Sequence, residues 1–167
     1  GNAKALFQAP KTILNHRVTG ARRFAAQSWS MDRIRAVAKG YHATVNDIVL
    51  AMCGGSLRDY LKSYDALPAL PLVAQVPVSV RAADADDDNG NAISAVQVTL
   101  GTDIGNAVDR LRAIQESMKA AKHRLSSMEK ADLNAFTVLS NLPLMLGQAT
   151  GLAGRRTTMF NVVISNV

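Results

Sequence analysis

The chain has 167 residues, 48% of them hydrophobic, and a formal charge of +6. That length and apolar content suit one domain with a packed core and argue against disorder. Basic residues are scattered and only 5% of residues are aromatic, so the dense Lys/Arg face with stacking rings of a nucleic-acid binder is absent. The charge instead suits weak attraction to phosphate groups or to an anionic membrane surface.

Residues 1–16 show no hydrophobic period and are broken by Pro10, as in a linker or the end of a crossover. After Gly20, Ala21 to Trp29 is expected to be a strand, with Phe24, Ala26 and Ser28 alternating with Arg23, Ala25 and Gln27. Ser30 can cap a short helix with Ile34, Val37 and Ala38 inward and Gly40 closing it.

The next stretch organises the rest. Thr44 and Asp47 have the capping-box spacing, and Val45, Ile48, Val49, Met52, Leu57 and Leu61 then recur at helical spacing to about Tyr64. The first turn of such a helix presents unpaired N–H groups and a partial positive charge. Asn46 and Asp47 are therefore either capping residues or the rim of a site for developing negative charge. Cys53 is the one cysteine. It excludes an internal disulfide and a Cys-based zinc site, and suits a small packed thiol better than a nucleophile. Gly54, Gly55 and Ser56 would let another element approach mid-helix.

Val76, Val78 and Val80 alternate with Pro77 and Ser79 as a strand, and Pro77 places its position at an edge or bulge. The acidic run from Ala83 to Gly90 lacks calcium-loop spacing and is expected to be a solvated turn. Ile93 to Leu100 is a second strand, apolar enough to be central. Ile104, Val108, Leu111, Ile114, Met118 and Leu125 form an amphipathic helix with Asp109, Arg110, Arg112, Glu116, Lys119 and Lys122 outside. Ser126 and Glu129 suggest a second capping box and a helix to about Leu142. Leu144 to Leu152 is apolar and rich in small residues, suited to a second short helix that packs closely or touches lipid, with core packing the better reading. The uncharged run Leu133 to Gly154 holds too many polar residues and glycines for a membrane span. Thr158 to Val167 is expected to be a strand buried on both faces. This order indicates an α/β domain with a mixed sheet and flanking helices.

A complete catalytic set is not visible. His16, His42 and His123 are isolated. His42 is the best placed, near Asn46. No nucleophile elbow, phosphate loop or dinucleotide fingerprint occurs, and no metal-ligand cluster is expected.

Five stretches carry a resemblance: Pro10 to Asn15, Gly20 to Ser28, Ala43 to Ala51, Pro77 to Arg81 with Gly90-Asn91, and Asn161 to Val167. Together, in this order, they resemble the bacterial wax ester synthase/acyl-CoA:diacylglycerol acyltransferase family. The Asn46-Asp47 pair and the Ser165-Asn166-Val167 ending match family motifs. The resemblance implies one of two chloramphenicol-acetyltransferase-like halves with a tunnel between them. It also implies transfer of a fatty acyl group from acyl-CoA to a long-chain alcohol or diacylglycerol, with acyl-CoA as substrate and no cofactor.

The family's H-H-x-x-x-D-G catalytic motif is absent here, and its last motif continues into Pro-Gly-Pro where this chain ends at Val167. Residues 17–167 are thus expected to be a C-terminal acyltransferase domain lacking its last segment. The catalytic histidine is expected on an N-terminal half of the same enzyme. By resemblance, Asn46 and Asp47 would support substrate or oxyanion, and Ser165, Asn166, Arg81 and Asn91 would shape the tunnel or a turn beside it. A cytoplasmic protein is implied, able to sit at the inner membrane or on lipid inclusions. A non-catalytic lipid- or partner-binding module, and a same-fold acyltransferase with another acceptor, are the alternatives.

Overall fold

Period-two alternation leaves each strand with one apolar row, and the fold buries these rows under helices. The structure, a computed structural model, describes residues 9–16, 20–79, 93–127 and 159–165. Its elements in chain order are a short 3-10 helix at Ile13–Asn15, α1 (Met31–Gly40), α2 (Val45–Ser63), β1 (Val73–Ser79), β2 (Ile93–Thr99), α3 (Ala107–Ser126) and β3 (Val162–Val163). β1 pairs antiparallel with β2 from Val73↔Thr99 to Ser79↔Ile93, and parallel with β3 at Ala74↔Val162 and Gln75↔Val163. The described sheet is therefore mixed, in the order β2-β1-β3.

Ala74 and Val76 of β1 and Val96 and Val98 of β2 form the inward row. They meet Leu50 and Leu61 of α2 and Ile114, Met118 and Ala121 of α3. α1 packs on α2 through a smaller cluster of Ala38, Ile48 and Leu111. Leu50, Leu61, Leu72, Leu100 and Ile114 are fully buried. Each contributes about 1.5–3 kcal/mol by leaving water, more than the roughly 1 kcal/mol of a helix cap. The layers are therefore held by the core and only trimmed by the caps.

α1 and α2 follow the sequence reading, and both end on a residue with a left-handed backbone. His42 and Asp65 each have φ of 50°. Ala43 N–H returns to the Ala38 carbonyl at 2.8 Å and Ala66 N–H to Leu61 at 2.9 Å, closing Schellman turns. Gly40 thus does not supply the left-handed residue after α1. Leu50 and Gly54, outside the apolar set read from spacing, are buried because α2 has two packed sides, one toward α1 and one toward the sheet.

The glycine pair does admit neighbours. A Cβ on Gly54 would lie 2.6 Å from the Leu100 carbonyl oxygen, and one on Gly55 3.2 Å from the Arg110 guanidinium. That space overturns the expected outward position of Arg110. The side chain is buried, donates from Nη1 to the Ile104 carbonyl at 2.9 Å, and leaves Nε without a hydrogen-bond partner among the described residues.

Several expectations change. Ala21 to Trp29 joins no described strand ladder, because none of the described strands lies beside it. Among the described residues β2 is at an edge and β1 is central. On the side of β2 away from β1, Thr99 N–H donates to the Ser117 hydroxyl of α3 at 3.0 Å. Pro77 lies in the central strand, yet its position fits. Val73 and Gln75 send their polar groups toward the β3 side, and Pro77 shares that side by the two-residue period, past the last β3 pair. Of the last expected strand, the described residues 159–165 form a strand only at Val162–Val163, at the edge of the described sheet, with Val163 61% exposed rather than buried on both faces. Val37, expected inward, is 46% exposed. Ser126 is the last residue of α3 and donates its hydroxyl back to the His123 carbonyl. The helix expected beyond it, the acidic turn and the Leu144–Leu152 segment lie outside the described residues.

Candidate functional site at the start of α2

The capping box forms as its spacing requires. Asp47 N–H donates to Thr44 Oγ1 at 3.1 Å, while Asp47 Oδ2 accepts from Thr44 N–H at 2.9 Å and from the Thr44 hydroxyl at 2.7 Å. Asp47 is buried and directed at its own cap. Asn46 beside it is half-buried, and its carboxamide makes no hydrogen bond with any described residue. It sits in the first turn of a 19-residue helix, where the dipole favours negative charge. His42 is exposed, four residues earlier, and its carbonyl accepts from Gln115 Nε2 at 3.2 Å.

An apolar groove of about 560 Å³ runs between α2 and β3, lined by Trp29, Met52, Cys53, Leu57, Tyr60 and Val162 with Ser56 and Ile164. Cys53, Leu57 and Tyr60 follow Asn46 by 7, 11 and 14 residues, so at 3.6 residues per turn all four share one face of α2. The groove therefore points along the helix toward Asn46. Burial pushes the Cys53 thiol above its ordinary value, against its use as a nucleophile.

A second construction stands behind the groove. Asn161, only 8% exposed, accepts from Val73 N–H at Oδ1 (2.9 Å). Its Nδ2 donates to the Pro10 carbonyl at 2.7 Å and to Asn15 Oδ1 at 2.8 Å. One carboxamide thus joins the first described segment, the central strand and β3, and carries Val162 and Ile164 to the groove wall. Ile13 and Leu14 pack against the core from the same segment.

Of the residues singled out from sequence, Asn46 and Asp47 come together at the helix start. Ser165 is exposed just after β3. Arg81, Asn91 and Asn166 lie outside the described residues. His16 is exposed after the 3-10 helix, and His123 is exposed in the last turn of α3. Sequence reasoning missed Asn161 as a clamp, although a lone asparagine before Val162-Val163-Ile164 is the signal for it. It also missed Asn106, which caps α3 by accepting from Val108 and Asp109 N–H groups at 2.8 and 3.1 Å.

Two models of one acyltransferase family match the chain. The wax ester synthase/diacylglycerol acyltransferase catalytic domain matches residues 1–49, and the WS/DGAT C-terminal domain matches residues 89–167. The chain belongs to the wax ester synthase/diacylglycerol acyltransferase family. A Mycobacterium tuberculosis (H37Rv) protein named as a candidate diacylglycerol O-acyltransferase is 48% identical over 161 residues, 96% of this chain and 36% of that protein. The O-acyltransferase WSD of Acinetobacter baylyi is 42% identical over 161 residues, 96% of this chain and 34% of that one. The solved wax ester synthase/diacylglycerol acyltransferase of Marinobacter aquaeolei VT8 superposes with a TM-score of 0.79 at 44% identity, over 96% of this chain and 35% of its own. The chain spans about a third of the length of these relatives.

Proposed function

We propose that this chain is the C-terminal part of an O-acyltransferase that moves a fatty acyl group from acyl-CoA to a long-chain alcohol or diacylglycerol. Family membership supports this reading. The observation that carries it is the alignment of Asn46 with the apolar groove along one face of α2. An acyl chain lying in such a groove would bring its thioester to the polar helix start.

In this reading the fold is one chloramphenicol-acetyltransferase-like half. Residues 1–16 are the end of the crossover, docked through Ile13, Leu14 and Asn15, and 17–167 form the C-terminal domain. A histidine on the N-terminal half takes the acceptor hydroxyl proton, and the oxygen attacks the thioester carbonyl. The resulting oxyanion collapses, and the CoA thiolate leaves with the proton returned by the imidazolium.

The Asn46 carboxamide, free of described partners, donates to substrate or oxyanion, and Asp47 holds the first turn through Thr44. Arg81, Asn91, Ser165 and Asn166 shape the tunnel wall. Acyl-CoA enters as substrate and no cofactor is invoked. The net positive charge would favour a peripheral position at the inner membrane or on lipid inclusions.

The experiment is acyl transfer by the intact enzyme, with labelled acyl-CoA and either a long-chain alcohol or diacylglycerol. No ester with either acceptor removes the reading. One pre-aimed oxyanion donor is worth roughly 10²–10³ in kcat, so Asn46→Ala is expected to lower kcat on that scale with little change in stability. Unchanged acyl transfer in that variant removes the role of Asn46.

A further inference from the structure

From Ala21 to Ser30 the chain runs without a turn, bend or helix, and every residue from Gly20 to Ser30 is exposed. From Arg23 to Trp29 no backbone group is hydrogen-bonded to a described residue. Phe24 is 92% exposed in the middle of the run. Its sequence nevertheless alternates as a strand does. Holding seven residues in one unbent path costs conformational entropy that no described backbone hydrogen bond offsets. A free row of N–H and C=O groups is also a template for pairing with another strand.

We propose that residues 23–29 are a strand whose ladder partner is a sheet edge in the rest of the catalytic domain of the same enzyme, so that the run fastens the two parts by main-chain pairing. The choice of partner rests on two observations and on the proposed function above. The catalytic-domain model takes in residues 1–49, so the run belongs to that unit in sequence, whereas β2, α3 and β3 fall within the C-terminal match. The relatives also hold about two thirds of their length outside the part matched here. Seven residues span roughly 23 Å at 3.3 Å each, enough for a full strand pairing. Such strand addition takes its affinity from backbone groups and its register from alternate side chains. Phe24, Ala26 and Ser28 would then lie on one face of the extended sheet, and Arg23, Ala25, Gln27 and Trp29 on the face that reaches the groove through Trp29.

The test is backbone amide exchange across 23–29 in the intact enzyme, read by mass spectrometry with fragmentation. Alternate amides, three or four of the seven, are expected to exchange roughly 100-fold slower than random coil at every enzyme concentration. Coil-like exchange at all seven, in an enzyme whose α2 is protected, overturns the proposal. Protection lost on dilution also overturns it, by assigning the edge to a second copy. So does protection that needs phospholipid vesicles.

Ala25→Pro and Ala26→Pro give an independent check, because only one of two neighbours carries a donor on the pairing edge. One variant is expected to lose the protection and the other to keep it, and equal effects overturn the ladder. Acyl transfer is read in the same samples. Protection without transfer keeps the strand and removes the proposed activity, while transfer without protection removes the strand alone.

Discussion

The side chains of Asn161 and Asn15 are 146 residues apart in sequence and meet at 2.8 Å. Asn15 Oδ1 also accepts from the Thr12 hydroxyl at 3.0 Å, so the short 3-10 helix and the sheet share one polar junction. Asn161→Ala would strand Val73 N–H and the Pro10 carbonyl together. Buried groups left unpaired cost about 1–3 kcal/mol each. We expect a loss of about 2–4 kcal/mol in urea unfolding of the intact enzyme. A loss below about 0.5 kcal/mol, within the range of ordinary surface substitutions, would show that the junction is not a clamp.

Gly54 and Gly55 are neighbours with different obstacles. The Leu100 carbonyl facing Gly54 is backbone and cannot swing aside, whereas the Arg110 tip facing Gly55 can. Gly54→Ala is expected to lose about 2–3 kcal/mol despite the roughly 1 kcal/mol that alanine gains in a helix. Gly55→Ala is expected to stay within about 1 kcal/mol of the parent. Thermal melts of the two variants decide, and equal losses would contradict the geometry.

Asp65 holds a left-handed backbone at the end of α2. A residue with a Cβ resists that conformation and glycine does not. Asp65→Gly should raise stability by about 0.5–1 kcal/mol, the net of relieved strain against a freer unfolded chain. Asp65→Val should lower it by more than that gain. Chemical denaturation of both variants checks the sign.

The Cys53 thiol is held above its ordinary value by burial beside the groove, with a backbone hydrogen bond pulling weakly the other way. Its folded form keeps the proton more tightly than the unfolded form. This contribution is therefore complete below the unfolded thiol value and is lost as pH rises through the folded one. The parent should lose more stability than Cys53→Ala between neutral and alkaline pH. Alkylation of Cys53 by iodoacetamide should also lag a free thiol at pH 8. Parallel pH profiles for the two proteins would refute the shift.

Thr44 is the other half of the Asp47 cap. Thr44→Ala removes the hydroxyl that both accepts from Asp47 N–H and donates to Asp47 Oδ2. Loss of such a cap costs about 1–2 kcal/mol. If Asp47 acts only by holding the first turn, Thr44→Ala and Asp47→Ala should lower acyl transfer by similar factors in the intact enzyme. A far larger loss in Asp47→Ala would give the carboxylate a role at the substrate.

Local physics was legible in the chain. The capping box of α2, the helical face of α3 and the alternation of β1 and β2 each depend on residues a few positions apart. So does the left-handed end of α1, though its occupant proved to be His42 and not Gly40. Contacts between distant residues were decided only by the tertiary structure. It buried Arg110 in the space that Gly55 leaves open, and among the described residues it put β1 between β2 and β3. It also confined the last strand, among the described residues, to Val162–Val163 at an edge and made Asn161 the junction of three segments. It placed Ala21 to Trp29 in no described strand ladder, because a strand needs a partner as well as a pattern. Spacing fixes which side of an element is apolar, whereas the neighbour that covers that side depends on how the whole chain closes around its core.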